Sequence, residues 1–106
     1  MIRHIVFWKF RAEAEGRSAA ANREEVRTLL ADLPGQIPGI LEWELGVCPG
    51  GGEEEVELSL CSLFENAEAL AAYTVHPAHR RVVDLLRRVR AEKRVADYET
   101  GASSGQ

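Results

Sequence analysis

Tyr73-Thr74-Val75-His76-Pro77-Ala78-His79 places a phenol and two imidazoles within seven residues. An imidazole titrates near neutral pH and can take a proton from a carbon beside a carbonyl. A phenol can donate a hydrogen bond to the oxyanion that results. In that chemistry His79 is the general base and Tyr73 the donor. The structural alternative is that both polar groups bond irregular backbone, as buried polar groups usually do. His76, directly before Pro77, fits a helix cap as well as a pocket wall, and His4, at the far end of the chain, is a further candidate for one shared cavity.

The elements around this stretch follow from local chemistry. Pro77 has a fixed φ and no backbone N–H, so it suits the first position of a helix. The stretch therefore reads as a break between two helical segments. Asn66 caps the first, with Glu68 in its first turn, where the helix dipole favours negative charge. Leu70 and Tyr73 share one face of it. The second segment carries Val82, Leu85, Leu86 and Val89 as an apolar stripe. Arg80, Arg81, Arg87, Arg88, Arg90, Lys93 and Arg94 read as a solvated helix face. A last strand is expected over Arg94–Glu99, and residues 100–106 as a disordered tail.

Upstream, Ile2–Phe10 is rich in β-branched and aromatic residues. Ile2, His4, Val6, Trp8 and Phe10 fall on one parity, Arg3, Ile5, Phe7 and Lys9 on the other. Both sets are apolar in the middle, which predicts a strand covered on both faces. Arg11–Arg17 reads as a loop. Val26, Leu29, Leu30 and Leu33 recur at helical spacing, with a cap near Ser18 and a stop before Pro34. Leu41, Trp43, Leu45 and Val47 alternate with polar residues or glycine as a half-buried strand. Pro49–Gly52 is a flexible connection, and Val56, Leu58, Leu60 and Phe64 mark a third strand, antiparallel to the second if that connection is a hairpin.

The order β-α-β-β-α-β is the α+β, ferredoxin-like plan: a four-stranded antiparallel sheet with helices on one face. One domain is expected over residues 1–99. The helices leave the other sheet face bare, and a second copy is the simplest cover for it. A homodimeric α/β barrel follows as the expected assembly.

Composition narrows the function classes. With 45% hydrophobic and 28% charged residues, a packed core is expected. A net charge of −4 argues against a nucleic-acid partner. No apolar run reaches the roughly 20 residues of a membrane span, and no secretory leader is visible. Cys48 and Cys61 lack metal-like spacing and a disulfide framework, which suggests thiols buried in strands and a cytoplasmic location. Gly50–Gly52 is not followed by the Lys-Ser/Thr of a phosphate loop. A metal site of His4, His76 and His79 would lack an acidic partner at ligand spacing. Neither metal nor cofactor is expected. Trp8, Trp43 and Phe64 read as barrel core.

Met1–Phe10, Leu33-Pro-Gly-Gln-Ile-Pro-Gly-Ile40, Tyr73–His79 and Val95–Glu99, taken in order, resemble the stress-responsive dimeric α/β-barrel (Dabb) family. The resemblance covers residues 1–99 and implies a ferredoxin-like protomer and a dimeric barrel. The family includes plant stress-induced proteins and a polyketide cyclase, olivetolic acid cyclase. The cyclase is similar at His4, Tyr73 and His79. Where it has another pocket histidine, on its third strand, this chain has Leu58. The resemblance thus implies a small apolar pocket with Tyr73 and His79 as candidate catalytic residues. His4, His76, Trp8 and Leu58 are candidate binding residues, and a small apolar or aromatic acid is the candidate ligand.

Overall fold

The computed structural model describes residues 1–101, and the expected tail falls mostly on residues 102–106, outside them. Four strands form the main sheet: β1 (Ile2–Phe10), β2 (Ile40–Val47), β3 (Leu58–Phe64) and β4 (Arg90–Glu99). Their spatial order is β2-β3-β1-β4 and every neighbour is antiparallel. Helices α1 (Ala19–Ala31), α2 (Ala67–Val75) and α3 (Pro77–Val89) connect them. This is the βαββαβ order and the α+β ferredoxin-like fold that the patterns predict.

Strand parity decides the core. Val6, Trp8 and Phe10 of β1 and Leu58, Leu60 and Phe64 of β3 are buried on one sheet face. They pack against Val26 and Leu30 of α1 and Val82, Leu85, Leu86 and Val89 of α3. Of the expected α1 stripe, Leu29 is 37% exposed, and Asn22 is buried in the helix's first half. Asn22 earns that place by donating from Nδ2 to the Ala14 carbonyl at 3.0 Å. Ser18 caps α1, its Oγ accepting from Ala21 N–H.

Several local details differ from the sequence expectation. The loop before α1 contains a small hairpin, Glu13–Ala14 paired with Arg17–Ser18. Glu15 and Gly16 turn it with φ of 54° and 73°, and such paired positive φ values match the twist of a tight hairpin. In β2 the register shifts between Ile40 and Glu42, so Ile40, not Leu41, stands opposite Phe64. That irregularity leaves Leu41 exposed. Cys61 lies in β3 and Cys48 just after β2, and both are half-buried rather than buried.

β4 begins at Arg90, four residues before the expected start, because Arg90 caps α3 with ψ 145° and passes straight into extended backbone. At the strand's other end, Thr100 N–H donates to the Met1 carbonyl at 2.8 Å.

The helices cover one face of the sheet. On the other, Ile5 and Phe7 of β1 stand opposite Ala96 and Arg94, next to Tyr98. Phe7 is 39% exposed and Tyr98 52%. The second cover expected for β1 is thus not supplied by the protomer. Arg3 and Glu42 pair on that face at 2.8 Å, which raises the guanidinium's pKa chiefly through the hydrogen bond.

Candidate functional site

A cavity of about 350 Å³ opens between the helix-covered sheet face and the α2–α3 break. Its floor is a ladder of cross-strand pairs: His4 opposite Asp97, Val6 opposite Val95, Trp8 opposite Lys93. All six line the cavity, because residues of one parity point to one face and antiparallel register sets them side by side.

The wall comes from the helix break. Asn66 starts α2, its Oδ1 accepting from Ala69 N–H at 2.8 Å. Tyr73 lies one turn from the end of that helix and is 2% exposed. Its ring sits 5.0 Å from Phe64, 5.9 Å from Trp43 and 6.0 Å from His4, centre to centre. Burial holds the phenol far above its ordinary pKa, so it stays a neutral donor. The hydroxyl has no hydrogen-bond partner among the described residues, yet it is not sealed off from the cavity.

His79 stands on the first turn of α3, its ring 4.1 Å from that of Tyr73. Nδ1 lies 3.2 Å from the Thr74 carbonyl oxygen. A carbonyl can only accept, so Nδ1 carries the proton and the neutral ring keeps its lone pair on Nε2. Burial lowers the pKa of His79, opposed by the Thr74 bond and aided by the nearby positive charges. The neutral imidazole is therefore the resting form at neutral pH. A neutral imidazole and a neutral phenol with their rings 4.1 Å apart at one cavity can offer a single ligand a base and a hydrogen-bond donor.

His4 is held differently. Its Nδ1 lies 2.5 Å from Oδ1 of Asp97. The carboxylate fixes the ring's orientation, as second groups commonly do for working histidines. Nothing in the strand pattern marks Asp97 as a site residue; only the register with His4 does. Among the described residues no three His, Cys, Asp or Glu side chains gather as metal ligands.

Of the six residues picked from the sequence, His4, Trp8, Tyr73 and His79 come together on the cavity. His76 and Leu58 do not. His76 caps α3, its Nδ1 accepting from Ala78 N–H at 3.0 Å, which turns the ring away from the cavity and along the helix start. Leu58 is fully buried in the core, between Trp8 and Val47. The solvated-face expectation also needs correcting, because Arg87, Arg90 and Lys93 line the cavity. The early start of β4 brings Arg90 and Lys93 there. Burial lowers the pKa of Lys93, with Arg90 and Arg87 adding repulsion.

Comparison with known proteins agrees with this fold. A family model for the stress responsive A/B barrel domain (Dabb) matches residues 2–100. An uncharacterised protein of Streptomyces coelicolor is 33% identical over 99 residues, covering 93% of this chain and 99% of that one. A dimeric protein of unknown function and ferredoxin-like fold from Bacteroides fragilis superposes with a TM-score of 0.80 at 24% identity, covering 93% of this chain and 95% of that one. Hydroxynitrile lyase from Passiflora edulis superposes with a TM-score of 0.78 at 15% identity, covering 95% and 94%. No helix among the described residues is long and apolar enough to cross a membrane.

Proposed function

The chain belongs to the stress responsive A/B barrel domain family, and from that premise we propose that it is a homodimer whose cavities bind a small apolar or aromatic acid and move a proton on it. His79 Nε2 takes the proton from a carbon beside a carbonyl. The electron pair left on carbon moves into the carbonyl oxygen, which receives a hydrogen bond from the Tyr73 hydroxyl. Return of the proton to the same atom completes an exchange and to another atom an isomerisation. Attack of the enolate carbon on a second carbonyl of the ligand, whose oxygen takes up the proton, completes a cyclisation. Departure of a group beta to the carbonyl with its bonding pair completes a cleavage. The observation that carries this reading is the 4.1 Å approach of a neutral His79 ring to the Tyr73 phenol at one cavity wall.

The dimer is supported by the bare sheet face, where Phe7 and Tyr98 are exposed, and by the dimeric state of the Bacteroides relative. That a hydroxynitrile lyase shares the fold supports an enzymatic reading. A cytoplasmic setting keeps the half-buried Cys48 and Cys61 as thiols.

A second reading, a stress-related binding protein with no turnover, is favoured by one contact: His79 Nδ1 holds the Thr74 carbonyl at the helix break. Solvent-deuterium exchange into propiophenone, followed by NMR, separates the two. On the catalytic reading the wild type accelerates exchange, and His79→Ala and Tyr73→Phe each lose it by roughly a hundredfold or more while staying folded. No acceleration by the wild type would leave the binding protein standing.

A further inference from the structure

The cavity is electrically polarised along its length. Asp97 and Lys93 lie four residues apart on β4 and line the same cavity. A strand rises by about 3.4 Å per residue, so their backbones stand roughly 13 Å apart. Tyr73 contacts His4 at the Asp97 end. At the other end Lys93 is joined by Arg87 and Arg90.

These three cations differ from Arg80 and Arg81 of the same stretch, unpaired among the described residues, in lining the cavity. The chain carries a net charge of −4, and carboxylates are plentiful. Arg88 and Arg94, from the same stretch, pair with Glu15 and Glu92. Among the described residues, the side chains of Arg87, Arg90 and Lys93 make no ion pair or hydrogen bond. Three like charges held together and left unpaired favour an anion between them.

We infer that the ligand is an acid bound through its carboxylate by Arg87, Arg90 and Lys93, with its reacting carbon at the other end, beside Tyr73 and His79. His79 and Arg87 lie eight residues apart on α3, about 12 Å along the helix, so an acid group held by Arg87 and the carbon attacked are separated by a spacer of several bonds. An acid whose reactive position is next to its own carboxylate fits poorly. This inference rests on the proton-transfer reading for the reacting end, while the carboxylate end stands on the charges alone.

The test compares γ-benzoylbutyrate with its methyl ester, which has the same ketone and spacer but no charge. Calorimetric titration of the wild type should show the acid binding at least about tenfold tighter than the ester, a difference one charge-assisted contact can supply. The double variant Arg87→Gln/Lys93→Gln should lose that ratio, and added salt should compress it in the wild type. Neither side chain has an ion pair or hydrogen bond to lose among the described residues, so melting midpoints should change little. Equal binding of acid and ester, a ratio unchanged in the double variant, or no binding of either would overturn the inference. Should the double variant fold poorly, the wild-type ratio and its salt dependence decide alone. Propiophenone has no charge, so failure of its His79-dependent exchange would strike the proton-transfer reading and leave the anion preference intact.

Discussion

His4 and Asp97 stand directly opposite each other in the β1–β4 ladder, and Nδ1 of His4 lies 2.5 Å from the Asp97 carboxylate. One residue comes from the start of the chain and the other from its last strand. The sheet brings them together at the cavity floor, 6.0 Å from the Tyr73 ring. Asp97 is thus a positioning residue: it holds the His4 ring, which in turn faces the phenol.

Replacing Asp97 with Ala should leave the sheet intact and free the His4 ring, because no acceptor then faces its Nδ1–H. The histidine ring-nitrogen NMR signals should show the Nδ1 proton of His4 in the wild type and its loss in the variant. Unchanged signals would mean that the carboxylate does not hold the ring.

His79 should make the protein acid-sensitive. Its pKa in the fold lies below the ordinary 6.5, so between the two values the unfolded chain binds the extra proton. The contribution of neutral His79 to stability is full above pH 6.5 and is lost as the pH falls through that window toward the folded value. Urea midpoints of wild type and His79→Ala, compared across this range, should converge on acidification. A constant gap between them would refute the assignment. The same shift predicts that exchange activity persists below pH 6.5, where an ordinary histidine would already be charged.

His76 should matter for folding and not for chemistry. Its Nδ1 caps α3, and losing such a cap costs about 1 kcal/mol. For a domain of this size His76→Ala should lower the melting midpoint by roughly 4–8 °C at fixed protein concentration. Propiophenone exchange per folded molecule should match the wild type. A variant that melts normally but loses exchange would return His76 to the site.

Phe7 tests the assembly. It is 39% exposed on the face the helices leave bare, and a charge there would be buried unpaired in any interface formed by that face. Phe7→Glu should convert the dimer to a monomer by light scattering at micromolar concentration. A wild type that is already monomeric would remove the dimer proposal altogether.

The sequence by itself determined what depends on near neighbours. Pro77 placed the helix break, Asn66 and Ser18 placed two helix starts, and strand parity grouped Val6 with Trp8 and Leu60 with Phe64. Those signals are local, since a cap or an alternation is complete within a few residues. The Tyr73–His79 pair was legible for the same reason, being six residues apart across one turn of chain. Tertiary structure decided the rest. Whether His76 faced the cavity or the helix depended on one ring rotation toward Ala78. Whether Leu58 lined a pocket or filled the core depended on what packed against it. Asp97 became a partner of His4, and Lys93 of Trp8, only through a register between the first and last strands. The charge polarity of the cavity is a property of that pairing, because two residues more than eighty positions apart carry no mark of each other until the sheet sets them side by side.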